Sequence, residues 1–282
     1  MQVGGPARFF AEPACEEDLI EALEFARQEK IPFVILGKGS NMIFPDAGYA
    51  GLVISLIHYA HDQMTFDFEP PSVTASAGVY LYRLALACRN AGLAGAEFLA
   101  SIPGTVGGAV IMNAGYSRFP GQRSEIGNLI EEVTVMDYEG KKETLGKDKL
   151  QFSYRSSNLK DRIVLAARLG LWRRPSPEIE KEIRACFTYR NQKQDLNYPS
   201  SGSIFKNPAP PHPSAGKLIE RLGLKGTRIG GAMVSTKHGN YFINVGNAKS
   251  SEVLELIEKI QKAVFDATQI HLETEVRIIE KP

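Results

Sequence analysis

The amino-acid sequence predicts an α+β fold built from several small sheets. Two long segments, 15–30 and 250–266, place their apolar side chains on one face at helical spacing. Short apolar runs at strand spacing lie between them, most of them bounded by turn pairs such as Pro70-Pro71 and Glu139-Gly140. These runs outnumber the helical segments and do not alternate strictly with them, which argues against one doubly wound parallel sheet. The predicted strands are 33–36, 52–56, 73–77, 133–138, 163–171 and 241–245.

Both helical segments are predicted to be packing elements. Acidic residues at 16–18 suit the positive N-terminal end of the first helix. Ser250 or Ser251 is predicted to cap the second helix with its hydroxyl. The apolar faces consist of Leu19, Ile20, Leu23 and Ala26 in the first helix, and of Val253, Ile257, Ile260 and Val264 in the second.

The chain length and two changes in composition predict more than one domain. At about 150 residues per domain, 282 residues suggest two domains with room for a small third one. The segment 173–177 combines two arginines with two prolines between a strand and a helix, so a new domain is predicted to begin there. A softer boundary lies near 58–71, where polar residues and prolines interrupt the apolar pattern.

Composition excludes several classes of protein. The formal net charge of +1 provides no global field for nucleic acid or an anionic membrane. No apolar run approaches the roughly 20 residues of a membrane helix, and the first ten residues lack the pattern of a signal peptide. The three cysteines have no metal-ligand spacing, and His58 and His61 lack further ligands nearby in sequence. We therefore expect a cytoplasmic protein with no metal, nucleic-acid partner or membrane span.

Glycine-rich segments are the first indication of a ligand. Residues 37–41 follow the predicted strand 33–36, and residues 102–109 continue to a second cluster at 113–115. Glycine permits conformations in which several backbone N–H groups point at one anion. Neither segment fits the dinucleotide fingerprint or the P-loop, and each alone is more typical of a tight turn. Two such long segments in one chain, however, favour an extended ligand that carries phosphate.

Polar residues in the second half of the chain suggest a catalytic site. Arg155 lies among hydroxyl side chains, and its planar guanidinium suits a carboxylate or an enolate oxygen. Ser203 precedes Lys206 in the S-x-x-K spacing of acyl-serine enzymes, but Pro208 argues against the helix which that chemistry needs. The segment 273–279 alternates like a strand, so Glu275 is either a site carboxylate or part of a solvated edge.

Taken together, these segments resemble the UDP-N-acetylenolpyruvoylglucosamine reductase family, in its shorter form. The resemblance spans nearly the whole chain, and eight stretches in the family's order make chance agreement very improbable. The stretches are VGGPARFF (3–10), ILGKGSNMIF (35–44), AGAEFLASIPGTVGGAVIMNAG (94–115), FSYRSSN (152–158), SSGSIFKNP (200–208), AGKLIE with GLKGTRIGGAMVS (215–235), NAKS (247–250) and LETEVRII (272–279).

The resemblance implies a two-subdomain FAD-binding region of the vanillyl-alcohol-oxidase/PCMH type plus an α+β substrate-binding domain. The implied boundaries are 1–60 and 61–174 for the two FAD-binding subdomains and 175–268 for the substrate-binding domain. The strand at 269–282 is expected to return to the second FAD-binding subdomain. We also expect a monomer whose only partner is a small-molecule nucleotide sugar.

The resemblance further implies a reaction, in which NADPH is the reductant, FAD carries the hydride, and UDP-N-acetylglucosamine enolpyruvate becomes UDP-N-acetylmuramate. Arg155 and Glu275 would polarise the enolate system, and Ser203 would donate the proton, in keeping with the large effect of preorganised charge at an enolate. The implied cofactor-binding residues are Gly37, Lys38, Gly39, Ser40, Asn41, Ile102, Pro103, Gly104, Thr105, Gly107, Gly108, Asn113 and Gly115. The implied substrate-binding residues are Tyr154, Arg190, Lys193 and Asn207.

Two alternatives remain at the level of sequence. Another FAD-dependent oxidoreductase on the same fold would have similar glycine-rich loops but would not need Arg155, Ser203 and Glu275 together. A non-catalytic paralogue that binds a nucleotide sugar would be expected to have lost these residues, and all three are present.

Overall fold

A computed structural model describes residues 1–119 and 122–280, and the chain divides into two compact units. The larger unit consists of Phe9–Gly39 and Gly51–Arg190, and the smaller unit of Met1–Arg8, Ser40–Ala50 and Asn191–Pro282. The division into three domains implied by the resemblance stays a prediction.

Over the described residues, the structure mixes six α-helices and four short 3-10 helices with many short strands. The α-helices are α1 (Glu16–Gln28), α2 (Leu81–Asn90), α3 (Val106–Ile111), α4 (Ser176–Lys193), α5 (Ala215–Arg221) and α6 (Ser250–Thr268) over residues 1–119 and 122–280. The strands are β1 (Ala7–Ala11), β2 (Phe33–Leu36), β3 (Met42–Ile43), β4 (Tyr49–Ser55), β5 (Met64–Phe68), β6 (Pro71–Ser76), β7 (Leu93–Ala94), β8 (Gly115–Phe119), β9 (Gln122–Glu125), β10 (Ile130–Met136), β11 (Lys142–Gly146), β12 (Phe152–Ser153), β13 (Ser156–Ser157), β14 (Ile163–Gly170), β15 (Trp172–Arg173), β16 (Ser200–Ser203), β17 (Arg228–Ile229), β18 (Ala232–Val234), β19 (Tyr241–Asn244) and β20 (Arg277–Ile278).

A five-stranded antiparallel sheet forms the centre of the larger unit, in the order β11-β10-β14-β6-β5. Its main core contains Val73, Val133, Val164 and Leu169 from the strands, together with buried residues of α2 and α3 such as Leu84. β-branched and aliphatic side chains suit this half-buried pleated surface. The sheet therefore provides the rigid base from which α3 and its preceding loop project.

Helix α1 packs on a second, three-stranded sheet in the order β1-β4-β2. Its buried side chains are Leu19, Ala22, Leu23 and Ala26, spaced three and four residues apart as in an amphipathic helix. Strands β2 and β4 are parallel, with Val34 beside Val53. The first glycine-rich segment begins where β2 ends, so the parallel pair fixes the start of that segment.

The smaller unit contains the antiparallel sheet β16-β19-β18-β17, which packs against α6. Phe205 and Phe242 are fully buried in this core, with ring centroids 5.8 Å apart in an edge-to-face arrangement. Strand β20 pairs in parallel with β3 in this unit, with Arg277 beside Met42. No helix in the described part of the chain is both long and apolar enough to cross a bilayer.

The structure confirms the two predicted long helices and all six predicted strands, with ends shifted by at most three residues. Two local predictions were wrong. The N-cap of α6 is Lys249, not a serine. Only Arg277–Ile278 of the segment 273–279 is a strand, although Thr274 forms an isolated bridge with Phe205.

Asp46 supplies the capping that the sequence assigned to a serine hydroxyl. Its carboxylate accepts hydrogen bonds from the backbone N–H groups of Ser250 (2.6 Å) and Ser251 (3.0 Å) and from the Ser251 hydroxyl (2.7 Å). Desolvation alone would raise the pKa of the Asp46 carboxyl, but these hydrogen bonds outweigh it and hold the pKa well below its ordinary value. The negative charge also suits the positive end of α6.

Replacement of Asp46 by alanine is expected to lower the free energy of unfolding by about 1 kcal/mol, as for other lost helix caps. Because the folded pKa is lowered, this contribution is complete above an unfolded pKa of about 3.9 and disappears as the pH falls through the folded value. Chemical denaturation of both proteins across this pH range measures the difference. Asp266→Asn, which removes an exposed pair with Lys262 at the other end of α6, is the control and should cost roughly 0.3–0.5 kcal/mol. A constant difference between Asp46→Ala and wild type down to acid pH would contradict the assignment.

Candidate functional site

Within the larger unit, the structure brings the start of the first glycine-rich segment, at Gly37, against the second segment, at Thr105. A Cβ atom placed on Gly37 would lie only 2.7 Å from Oγ1 of Thr105, which is closer than real Cβ atoms approach another atom. The loop after β2 therefore packs directly against the loop before α3, and only glycine permits this approach. Gly39 has a φ of 68°, a left-handed conformation that glycine adopts without steric cost.

Residues 79–81 also pack against the loop before α3. Tyr80 forms a bridge with Thr105, and the backbone N–H of Val106 donates to the carbonyl of Val79 at 2.9 Å. The Nζ atom of Lys38 lies 5.2 Å from the centre of the Tyr80 ring, within the range of a cation–π contact. A cation and an aromatic ring thus lie beside the two glycine-rich loops.

These residues fit FAD, which is flat at one end and carries phosphate in its middle. Gly108 is exposed, and a Cβ atom placed there would have Thr105 Oγ1, at 3.9 Å, as its nearest neighbour, so a ligand can approach the backbone. Lys38 carries a positive charge on the adjoining loop, and such a charge suits a phosphate group. Gly107 faces the other way, because a Cβ there would lie 2.9 Å from the Cβ of Ala77.

Asn113 is buried, and its side chain is engaged by protein groups. Its amide Nδ2 donates to the Glu125 carboxylate (3.0 Å) and to the Ser153 carbonyl (2.9 Å), while its Oδ1 accepts from the backbone of Gly127 (3.0 Å). Gly115 begins β8, where a Cβ would lie 2.0 Å from the Ser124 carbonyl oxygen. Both residues shape the end of the second glycine-rich segment.

Arg155 lies at the turn between β12 and β13, with a φ of 55°. The hairpin is anchored on both strands, since Asn113 binds the Ser153 carbonyl and the Ser157 hydroxyl donates to the Ile111 carbonyl at 2.9 Å. The centre of the Tyr154 ring lies 4.0 Å from the guanidinium of Arg123 and 5.2 Å from that of Arg155. The end of the second glycine-rich segment therefore fixes the hairpin that carries the predicted carboxylate-binding arginine.

Within the smaller unit, a main-chain contact brings Glu275 to the residue that follows Ser203. Ser203 ends β16 beside Tyr241, and the backbone N–H of Glu275 donates to the carbonyl of the next residue, Ile204, at 2.7 Å. The Asn41 side chain donates to the Glu275 carbonyl at 3.0 Å, and the Asn41 carbonyl accepts from the backbone of Arg277 at 2.9 Å. The end of the first glycine-rich segment thus contacts the backbone of the predicted catalytic glutamate.

The predicted nucleotide-binding residues are distributed over both units. Arg190 belongs to the larger unit, where its guanidinium donates to the Ser101 carbonyl. Lys193 is exposed at the end of α4, and Asn207 is exposed and accepts from the backbone of Ala215 at 3.1 Å. These three assignments stay predictions.

Comparison with known proteins identifies the family. The FAD-binding domain family matches residues 7–146, and the family described as the C-terminal domain of UDP-N-acetylenolpyruvoylglucosamine reductase matches residues 194–279. The UDP-N-acetylenolpyruvoylglucosamine reductase of Anoxybacillus flavithermus is 38% identical over 282 residues, covering 99% of this chain and 90% of the relative. The chain belongs to the UDP-N-acetylenolpyruvoylglucosamine reductase family.

Other members agree with this assignment. The reductase of Syntrophus aciditrophicus is 40% identical, with 99% of this chain and 88% of that protein covered. The crystal structure of the reductase from Thermus caldophilus superimposes with a TM-score of 0.79 at 35% identity, covering 99% of this chain and 94% of that one. The predicted family, the α+β fold with its FAD-binding region, and the classification as an FAD-dependent oxidoreductase are confirmed.

Three residues near the predicted site were missed from the sequence. Tyr80 follows a Gly-Val pair at the start of α2, and a sequence pattern of this kind is too common to single it out. Arg123 lies in β9 and stacks on Tyr154. Asn240 directly precedes β19 and contacts the residues after Ser203. Each acts through a contact between distant parts of the chain, which no local pattern reveals.

The contact between Gly37 and Thr105 leads to a prediction about FAD retention. Gly37→Ala is expected to weaken FAD binding by roughly tenfold or more, because the new methyl group would push the two loops apart. The affinity is measured by titrating the apoprotein with FAD and following flavin fluorescence. In Gly37→Ala/Thr105→Ala the obstructing oxygen is absent, so the double variant should bind better than the sum of the single effects predicts. If the effects of the two single substitutions on the free energy of FAD binding simply add up in the double variant, the two loops do not contact each other in this way.

Proposed function

We propose that this chain catalyses the NADPH-dependent reduction of UDP-N-acetylglucosamine enolpyruvate to UDP-N-acetylmuramate, a step in the synthesis of peptidoglycan precursors. The observation that carries the proposal is the main-chain hydrogen bond from Glu275 to Ile204, which brings a carboxylate-bearing residue to the residue next to Ser203 in a member of this reductase family. Bound FAD would supply hydride transfer from NADPH to the enolpyruvyl group.

The FAD would be held by the loops that meet at Gly37 and Thr105. Gly39 and Gly108 carry no side chain that would keep a ligand from their backbone, and Lys38 would place a cation beside the phosphate groups. Tyr80 adds an aromatic surface at the same place. The remaining residues of the two segments, from Ser40 to Asn41 and from Ile102 to Gly115, complete this assignment.

Arg155 would bind the carboxylate of the enolpyruvyl group. A guanidinium binds a carboxylate through two parallel hydrogen bonds, which fixes the orientation of the group as well as its charge. The anchoring of both strands of its hairpin keeps the backbone of Arg155 in one place, so little reorganisation accompanies the reaction. Tyr154, Arg190, Lys193 and Asn207 would contact the remainder of the substrate.

Ser203 would donate the proton that completes the lactyl group. Hydride addition to the terminal carbon leaves negative charge on the adjacent carbon and its carboxylate, and such a carbon is basic enough to take a proton from a serine hydroxyl. The serine then recovers its proton from water. Glu275, together with Arg155, would orient and polarise the enolate system while the charge develops.

The location, oligomeric state, partner and domain boundaries also belong to this proposal. The protein would act in the cytoplasm as a monomer, with a nucleotide sugar as its only partner besides the cofactors. The substrate-binding domain would extend over 175–268, with the C-terminal segment 269–282 joining the second FAD-binding subdomain.

Absorption spectroscopy tests the proposed reaction directly. The purified protein, supplied with FAD, should show a flavin spectrum that bleaches when NADPH is added without oxygen. The spectrum should return when UDP-N-acetylglucosamine enolpyruvate is added, with formation of UDP-N-acetylmuramate. Bleaching without return would contradict the substrate assignment and favour another FAD-dependent oxidoreductase. Binding of the nucleotide sugar without any flavin would favour a non-catalytic paralogue.

A further inference from the structure

A buried asparagine lies on the other side of Ile204 from Glu275. Asn240 is 3% exposed, at the point where β19 begins beside the residues that follow β16. Burial of a carboxamide is costly unless its hydrogen bonds are satisfied, so its contacts indicate what it does there.

The Asn240 side chain binds both main-chain groups of one residue. Its Oδ1 accepts from the N–H of Phe205 at 2.9 Å, and its Nδ2 donates to the carbonyl of Phe205 at 2.7 Å. The Asn240 carbonyl also accepts from the N–H of Ile204 at 3.0 Å. Asn240 therefore continues the strand pairing that ends at Ser203 and Tyr241 for two more residues, with its main-chain carbonyl at Ile204 and its carboxamide at Phe205.

The same main-chain segment binds the C-terminal segment on its other side. Ile204 accepts from the N–H of Glu275 at 2.7 Å, and the N–H of Lys206 donates to the carbonyl of Glu273 at 2.9 Å. Residues 204–206 are therefore held between Asn240 on one flank and residues 273–275 on the other, directly after Ser203. A shift of the Phe205 backbone would move Ser203 and Glu275 relative to each other.

We infer that Asn240 is a positioning residue that fixes the proton-donating serine relative to the catalytic glutamate. The inference rests on the proposed roles of Ser203 and Glu275. A smaller side chain would leave the buried N–H and carbonyl of Phe205 unpaired, and the segment would move to recover hydrogen bonds. Misplacement of a reacting group by about 1 Å can slow a reaction roughly 100-fold.

The test compares the two half-reactions in Asn240→Ala. Stopped-flow spectroscopy of the FAD-loaded protein measures flavin reduction by NADPH and reoxidation by UDP-N-acetylglucosamine enolpyruvate separately. Reoxidation is expected to slow roughly 10- to 100-fold, while reduction changes less than about twofold. Should the alanine variant fail to fold, Asn240→Ser serves in its place, since its hydroxyl fills part of the space but reaches only one of the two groups.

Asn240→Asp keeps the shape of the side chain and should restore the rate of reoxidation when the new carboxyl is neutral. A neutral carboxyl can accept from the Phe205 N–H and donate to the Phe205 carbonyl, whereas the ionised form has no donor. The ratio of variant to wild-type reoxidation rates should therefore be near one at the low end of the pH range in which both proteins are folded. Burial raises the pKa of such a carboxyl and favours this rescue. The nearby titratable groups are His238, whose Nδ1 accepts from the Asn240 N–H, and the exposed Lys206–Glu273 pair, and wild type carries the same groups.

Asn244→Ala separates positioning from stability. Asn244 is also buried in β19, but its side-chain hydrogen bonds go to Met1, Gly246 and Ala248. The Asn244→Ala variant should have a lower melting temperature, without a selective effect on the rate of reoxidation. Equal slowing of both half-reactions by Asn240→Ala, or no slowing, would overturn the inference. If Ser203→Ala and Glu275→Gln also left reoxidation unchanged, the proposed roles themselves would fail, whereas a failure confined to Asn240 would leave them intact.

Discussion

Replacement of Ser203 by alanine is expected to slow reoxidation of the reduced protein by UDP-N-acetylglucosamine enolpyruvate by roughly 10²–10⁴-fold, the usual contribution of a positioned general acid. Reduction by NADPH should remain nearly unchanged, because no proton from Ser203 is needed in that step. The fold should persist, since the main chain at Ser203 keeps its pairing with Tyr241 and the following residues keep theirs with Asn240. Stopped-flow measurement of the two half-reactions gives both rates.

Ser201→Ala is the matched control for this experiment. Ser201 lies on the same strand two residues earlier, is 3% exposed, and its hydroxyl has no hydrogen-bond partner within residues 1–119 and 122–280. Removing that hydroxyl should change neither half-reaction appreciably, because no buried bond is lost. Equal loss of both half-reactions in Ser203→Ala would remove the serine from the proton-donor role and indicate a defect in the fold.

The elements of this fold were predictable where the apolar pattern is strong. Helix α1 and strand β14 carry long runs of regularly spaced aliphatic residues that are buried in the core, so periodicity predicts both. The short strand β20 was predicted too long, because Glu273 to Val276 bind the residue 203–206 segment through isolated bonds rather than a regular ladder. Alternation in sequence cannot distinguish these two kinds of pairing.

The residues of the candidate site were proposed from the sequence, but the contacts that organise them could not be. The glycine-rich segments, Arg155, Ser203 and Glu275 are recognisable from local motifs and family resemblance. Asp46 caps a helix that begins far along the chain, with a sequence separation of 204 to Ser250. Asn240 is an ordinary turn residue by its local sequence, and only the folded chain shows that it pairs with Phe205. Such roles depend on long-range geometry, which no residue pattern encodes locally.

One of these contacts joins the proposed cofactor loop to the backbone of Glu275. Asn41 ends the first glycine-rich segment, and its side chain donates to the Glu275 carbonyl while its own carbonyl accepts from the Arg277 N–H. Because β3 follows Asn41 and β20 follows Glu275, and the two strands pair in parallel, the backbone of Glu275 is fixed independently of its side chain. A change confined to the carboxylate should therefore leave the backbone arrangement intact.

Glu275→Gln is accordingly expected to slow reoxidation by the enolpyruvyl substrate roughly 10²–10³-fold, as for other losses of a preorganised polar group at a reacting centre, with little change in reduction by NADPH. Glutamine keeps the size of the side chain and the two main-chain contacts to Ile204 and Asn41, so FAD binding and melting temperature should stay close to wild type. Stopped-flow rates, FAD titration and thermal denaturation measure these three quantities.

Glu273→Gln makes the same chemical change two residues earlier. It tests whether the effect of Glu275→Gln depends on the position of the lost carboxylate. Glu273 pairs with Lys206 at 3.1 Å, but its side chain is 76% exposed, so solvent screens the pair and its loss should be nearly silent in both half-reactions. A large, selective effect of Glu275→Gln beside a silent Glu273→Gln would locate the catalytic charge at one carboxylate. Similar effects of both variants would instead indicate a general loss of negative charge along this segment, and Glu275 would then have no specific role at the enolate.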